Sequence, residues 1–284
     1  MKAIAKTLGA TFLGLFRGTP SPTRVTIFCY HSIHPTKAFA SAGQTLFEAH
    51  LAWFGEHCDV ISLGKAMERS RDAASKRPAI VITFDDGYGD NYDYAFPLLT
   101  KYGFPASFFL TTGFIERRPY VIQSFERRRN CNRADVEPLS WSQILEMQEA
   151  GFEFGSHTVS HPNLSRLGDE QARMELRQSR DVLQQQLGRN IDKIAYPFGK
   201  PGRHVTERTV ALAADAGYTT GAAVLFRTVR ASDSPMTLPR FFVTRDSTET
   251  LAQKVRGSWD FVGWWHEKAP DWVARLVSPA DYEV

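Results

Sequence analysis

A parallel α/β sheet closed into a barrel is the fold class this sequence predicts. Three observations predict it: seven apolar runs of strand length, segments of helical periodicity between them, and no repeat or low-complexity linker that would divide the 284 residues into separate units. The strand candidates are 25–30, 80–84, 106–110, 152–155, 194–196, 218–224 and 240–243. The run Ala79-Ile-Val-Ile-Thr-Phe84 sets the pattern: apolar and β-branched throughout, as a buried strand requires. Helix candidates fall between them at 45–57, 90–102, 141–150, 169–187, 205–216 and 248–256. Thr45-Leu-Phe-Glu48 and Ser140-Trp-Ser-Gln143 match the capping box, and Gly103, Gly151, Gly188 and Gly217 sit where helices should stop.

One segment interrupts the alternation. Residues 115–138 are too long and too charged for a plain connection and are expected to form an insertion over one end of the sheet. Its Arg117, Arg118, Arg127, Arg128, Arg129 and Arg133 read first as a solvated charged loop. The alternative is a grip on an anionic substrate or a phosphate-bearing surface. The expected division is an arm over residues 1–23, one α/β domain over 24–245, and a helical, aromatic extension over 246–284 packed on that domain.

Composition narrows the function classes. With 43% apolar residues the chain can build a core, and 34 basic against 31 acidic residues give only +3, too small an excess to argue for nucleic acid. Cys29, Cys58 and Cys131 are odd in number and lack C-x-x-C spacing, so neither a thiolate zinc site nor a disulfide framework is suggested, and a reducing compartment fits best. The N-terminal MKAIAKTLGATFLGLFRG has a short apolar stretch, but Arg17 and the missing small-residue cleavage pattern argue against a secretory signal. No segment reaches the ~20 apolar residues of a bilayer span. A cytoplasmic location is expected, with an amphipathic arm on a membrane surface as the peripheral alternative.

The chemistry concentrates at strand ends. Thr83-Phe-Asp-Asp-Gly-Tyr88 closes a strand candidate with adjacent carboxylates, which can divide labour: one binding a cation, the other moving a proton. Gly155-Ser-His-Thr-Val-Ser-His-Pro162 ends another, and His157 and His161, four apart, can converge on one metal through a single turn. Pro162 disfavours a right-handed helical His161, so a turn is expected there. Two imidazoles and one carboxylate leave positions open for water, the catalytic arrangement of a zinc site.

These two motifs together resemble the polysaccharide deacetylases of carbohydrate esterase family 4, over roughly residues 24–245. The resemblance implies a distorted (β/α)7-type barrel of the NodB kind, a divalent metal, and hydrolytic removal of an acetyl group from an N-acetylated sugar. It implies Asp86, His157 and His161 as metal ligands and Asp85 as general base. The family's third motif carries an arginine two residues before Pro-Tyr-Gly; here Ala195 and Phe198 stand in Ala195-Tyr-Pro-Phe-Gly199. The Phe198 backbone amide can still serve as oxyanion donor, and Arg240 is the expected substitute for the missing arginine. No C-terminal L-x-H motif follows Val243, and His266 falls outside the strand pattern. The motif order is similar to the circularly permuted poly-N-acetylglucosamine deacetylases, whose acidic histidine lies near the N-terminus. His31, ending the first strand candidate, is the expected general acid, with His34 as a helper.

For the ion, zinc is expected, with cobalt, nickel or manganese compatible with the same donors. Tyr88, Trp141, Tyr120 and the Trp264-Trp265 pair are the candidates for stacking under a sugar ring. A polymer, an oligosaccharide and a lipid-linked glycan all remain open as substrates. The rivals are another N-acyl or cyclic amide hydrolase on the same scaffold, and a carbohydrate-binding homologue with little turnover.

Overall fold

The computed structural model describes residues 22–72, 74, 76–261 and 263. The arm over 1–23, except its last two residues, and Trp264, Trp265 and His266 of the extension lie outside them. Among the described residues there are eight strands: β1 (Val25–Tyr30), β2 (Asp59–Val60), β3 (Ala79–Phe84), β4 (Ser107–Leu110), β5 (Glu153–Ser156), β6 (Lys193–Ala195), β7 (Thr220–Val224) and β8 (Leu238–Phe242). All pairings between them are parallel. Because β1 pairs with both β3 and β8, seven strands close into a barrel in the order β1-β3-β4-β5-β6-β7-β8. The two-residue β2 lies beside the start of β3, at Ala79 and Ile80, on the edge whose far end takes β4 at Thr83 and Phe84. Two residues give no readable apolar period, and the sequence pattern passes over them.

Side-chain alternation sorts each strand between two cores. Val25, Ile27, Ala79, Val81, Phe109, Ala195, Ala222 and Leu238 form a small cluster inside the barrel. Phe28, Tyr30, Ile80, Ile82, Phe84, Phe108 and Ile194 face out and join the large core with helical residues such as Phe47, Leu51, Phe54, Leu176 and Leu183. Continuing the inward series brings Cys29 on β1, Thr83 and then Asp85 on β3, and Arg240 on β8 to the carboxyl end of the barrel, all buried. Period two thus changes the interior from apolar to polar within one residue step at that end.

The helices are α1 (Gln44–His57), α2 (Ala66–Arg69), α3 (Phe96–Tyr102), α4 (Thr112–Ile115), α5 (Pro119–Arg129), α6 (Trp141–Glu149), α7 (Asp169–Leu187), α8 (Glu207–Asp215) and α9 (Thr248–Val255). The Ser140–Gln143 capping box forms as expected at α6, with the Ser140 side chain and the Gln143 amide N–H joined and the return bond present. The one expected at Thr45 does not: α1 starts at Gln44, after Gly43, and no side chain caps it. Thr45 is already inside the first turn, where its hydroxyl cannot reach the free amides.

The charged insertion is not a solvated loop. It contains α5, with Pro119 in its first turn, and the spacing of Val121, Ile122 and Phe125 gives the helix an apolar face. That face packs with Tyr88, Phe114 and Val136 into a third small core above the carboxyl end of the barrel. Among the described residues, no helix is long and apolar enough to cross a membrane.

Candidate active site

The turn after β3 separates the two carboxylates. Asp85 still follows the strand, its amide N–H donating to the Tyr30 carbonyl at 2.9 Å. Asp86 then takes a left-handed backbone (φ 76°), followed by Gly87 at φ 90°. A Cβ on Gly87 would lie 2.9 Å from side-chain atoms of both Leu110 and Ile115, so conformation and space both require glycine. The acids therefore diverge through a turn, rather than through the strand alternation that the sequence suggested.

Asp85 is clamped. Arg240 donates to its two carboxylate oxygens at 2.7 Å each and to the Thr83 hydroxyl at 3.1 Å, and the Cys29 thiol lies 3.3 Å from Asp85 Oδ2. Burial alone would push the Asp85 carboxyl up; the Arg240 guanidinium overrides it and holds the group well below the usual carboxylate range. Burial pushes the Cys29 thiol well up, so it acts as a donor to Asp85. That decides between two candidate donor clusters, Cys29–His31–Asp85 and Asp86–His157–His161. The first has its carboxylate occupied by arginine and its sulfur protonated.

The second has free donors. Asp86 Oδ1 is buried with no hydrogen-bond partner and lies 3.6 Å from Nε2 of both His157 and His161. His157 Nδ1 lies 2.7 Å from the Ala195 carbonyl, which can only accept, so Nδ1 is the donor and Nε2 is the atom turned to Asp86. Burial, then Arg128, holds His161 well below the ordinary histidine range, so it is neutral at neutral pH. An orphaned carboxylate oxygen facing two imidazole nitrogens, all buried, fits a divalent cation.

His161 reaches this point through a turn in which Thr158 (φ 67°) and His161 (φ 58°) are both left-handed. Glu175 on α7 ties it down, accepting from the amides of Val159 and Ser160 at 2.9 Å each and from the Ser160 hydroxyl at 2.6 Å. The Asp86 Oδ2 atom accepts from Arg129 at 3.0 Å, and Arg129 also donates to the Tyr88 hydroxyl at 2.9 Å. Arg129 thereby leaves Asp86 one free oxygen. Glu175, which has no local signature, escaped the sequence analysis, and Arg129 entered it only as one of six arginines of the insertion, without its role on Asp86; the apolar spacing in α5 would have placed it on an ordered helix.

His31 lines the same pocket, its ring centroid 4.6 Å from that of Phe242 and its Nδ1 buried without a partner. Burial, partly offset by Asp86, lowers it to about 4. The backbone of His31 is fixed by Ser41, which accepts from its amide at 2.9 Å, and by Asn91, which donates to its carbonyl at 2.7 Å. Phe198 has a left-handed backbone (φ 62°), lines the pocket, and gives its amide N–H to no acceptor among the described residues.

Four expected contacts lie elsewhere. Tyr88 is fully buried between Phe114 and Phe125, with its hydroxyl on Arg129, and has no face for a sugar. Trp141 opens α6 and packs against the large core. Tyr120 is 56% exposed on α5 and does not line the pocket, and His34 packs edge-on against Tyr94. The aromatic rings that do line it are Phe125, Tyr196, Phe198 and Phe242.

A barrel with an acid clamped by arginine beside a three-donor cation site defines the class of metal-dependent barrel hydrolases, and comparison with known proteins gives the family. The sequence profile described as Polysaccharide deacetylase matches residues 72–221, more than half of the chain. The protein belongs to the polysaccharide deacetylase family. It is 28% identical over 211 residues to a Bacillus subtilis protein named Putative polysaccharide deacetylase YxkH, covering 72% of this chain and 65% of that relative. It is 24% identical over 238 residues to the poly-beta-1,6-N-acetyl-D-glucosamine N-deacetylase of Staphylococcus aureus strain MRSA252, covering 80% and 74%. The solved structure of the Streptococcus pyogenes deacetylase PplD in complex with acetate superposes with a TM-score of 0.69 at 26% identity, over 82% of this chain and 99% of that one.

Proposed function

We propose that this protein hydrolyses the acetamide of an N-acetylated amino sugar within an oligosaccharide or polysaccharide, using Asp85 and His31 for proton transfer. The observation that carries the proposal is the division between the neighbouring acids: Asp86 keeps a bare oxygen facing the Nε2 atoms of two imidazoles, while Asp85 is fixed and ionised by Arg240. Asp86, His157 and His161 would hold the cation, for which zinc suits the donor set, with cobalt, nickel or manganese also matched. A bound divalent ion supplies Lewis-acid polarisation of the acetyl carbonyl and acidifies water.

The chain's own groups do the rest. Asp85 accepts the proton of the attacking water, its carboxylate aimed by two bonds from Arg240. The Phe198 amide donates to the oxygen on which negative charge develops. His31 is neutral at rest, so the proton that Asp85 takes from water must pass to it before it reaches the departing nitrogen, and a ring nitrogen of His31 lies within 4.8 Å of an Asp85 carboxylate oxygen. Phe125, Phe198 and Phe242 offer the apolar walls against which a sugar ring and an acetyl methyl can lie. Relatives named as N-deacetylases of poly-N-acetylglucosamine support a glycan substrate.

Asp85→Asn tests the assignment on a panel of acetylated oligosaccharides set beside cyclic imides and N-acyl amino acids. We expect acetate release from the sugars to fall about 10²–10⁴-fold while oligosaccharide binding persists. Turnover of the imide or the N-acyl amino acid, with the acetylated sugars untouched, would overturn it.

A further inference from the structure

Three guanidinium groups stand against two carboxylates here: Arg128 and Arg129 line the pocket, and Arg240 is buried against Asp85. Arg240 is matched to Asp85 and Arg129 to Asp86. Arg128, the neighbour of Arg129 at the end of α5, is matched to no carboxylate among the described residues. Its Nη1 donates to the His161 carbonyl at 3.2 Å and contacts that residue's Nδ1, its guanidinium lies 4.5 Å from the centre of the Phe125 ring, and its Nη2 is buried with no acceptor.

Arg128 thus has one carbonyl and one imidazole nitrogen for a planar group of five N–H donors, and a terminal nitrogen buried with no acceptor in a wall of the pocket, where unmatched charged donors are unfavourable. A divalent cation held by Asp86, His157 and His161 would add positive charge beside it. What Arg128 lacks is an anionic partner, and its planar fork suits a two-oxygen one.

We propose that Arg128 recognises an anionic substituent, carboxylate or phosphate, carried by the glycan close to the acetamido sugar, so that the substrate is an acidic N-acetylated glycan. This rests on the deacetylase reading of the pocket and narrows it. Arg128 is a specificity residue here; the reacting atoms belong to Asp85 and His31.

The test uses metal-reconstituted protein and three sets of oligosaccharides, identical in the acetylated sugar but bearing a neutral hexose, a hexuronic acid or a phosphorylated hexose beside it. We expect kcat/KM for one acidic set to exceed that for the neutral set by about tenfold or more, and the better acidic set identifies the anion. In Arg128→Met that ratio falls toward one through KM; Arg128→Lys keeps part of it. Arg127→Met, which removes an exposed charge one residue earlier, keeps all of it. Equal use of all sets by the unaltered protein, or a preference that survives Arg128→Met, would overturn the proposal. So would acetate inhibition relieved by Arg128→Met without any substrate preference, since Arg128 would then hold only the released product. Should no acetylated sugar be turned over, the deacetylase reading fails by itself. Calorimetric titration with inorganic phosphate then decides on Arg128: binding at least about tenfold weaker in Arg128→Met, but not in Arg127→Met, supports anion recognition, and equal binding contradicts it.

Discussion

Replacing Arg240 by methionine should produce a stability defect that grows with pH. Arg240 and Asp85 are buried to 0% and 4% side-chain exposure and joined by two bonds of 2.7 Å. Removing one partner of such a pair strands the other charge, at a cost of about 3–5 kcal/mol near neutral pH. The pH dependence follows from the sign of each shift. In the unaltered protein the Asp85 carboxyl is held below its unfolded value of about 3.9, so its contribution is present above that value and is lost only as pH falls through the lower, folded one.

Without Arg240, burial dominates and lifts the carboxyl above the unfolded value. The variant then loses stability as pH rises from about 4 to the elevated value, by about 1.4 kcal/mol for each unit of elevation. Urea denaturation from pH 4 to 7.5 should therefore show the gap between Arg240→Met and the unaltered protein widening by at least about 1.4 kcal/mol. The lost bond to Thr83 contributes a part that does not change with pH. Adding Asp85→Asn to Arg240→Met should flatten the curve. A gap constant across this range, or one that varies as strongly in the double variant, would refute the assignment of the clamp to Asp85.

Other perturbations follow from the same geometry. Glu175→Gln weakens the acceptor holding the left-handed turn before His161, and metal affinity measured by calorimetry should drop about 10–100-fold with the far-ultraviolet circular dichroism unchanged. Zinc at a hundred times its Kd should add about 2.7 kcal/mol to stability in the unaltered protein and nothing in Asp86→Ala, read by thermal melting with and without a chelator. Ser140→Ala removes the cap of α6 and should cost about 0.5–2 kcal/mol, whereas Thr45→Ala, at an exposed position that caps nothing, should stay within about 0.5 kcal/mol. Denaturant midpoints of the two variants compare them directly.

All seven barrel strands were legible in the sequence, most clearly β1 and β3 with their apolar and β-branched runs and less so β5 (Glu153-Phe-Gly-Ser156) and β8 (Leu238-Pro-Arg-Phe-Phe242), and their alternation with helices pointed to parallel pairing and closure. The two-residue β2 was not, being too short for any period. The placement of Asp85, Asp86, His157, His161 and His31 at one end of the sheet followed from their position at the carboxyl ends of strand candidates. Arg240 was proposed only as a replacement for a missing arginine, yet the inward series from Leu238 places it at the level of Thr83, where its reach to Asp85 follows from barrel geometry. The insertion was harder to read. Its six arginines dominate the composition, and the three apolar residues that order α5, Val121, Ile122 and Phe125, are outnumbered. Tyr88 and Trp141 misled for the opposite reason: composition says that an aromatic ring is present, but only packing says which of its faces is free.

The most direct measurement is a paired determination of acetate and free amine released from N-acetylglucosamine oligomers, repeated after chelation and after metal is restored. We expect one acetate for each new amine, abolished by the chelator, recovered with zinc, and absent from Asp86→Ala. Acetate release that ignores the chelator, or its absence from every acetylated glycan while the metal is bound, would contradict a metal-dependent deacetylase at this site.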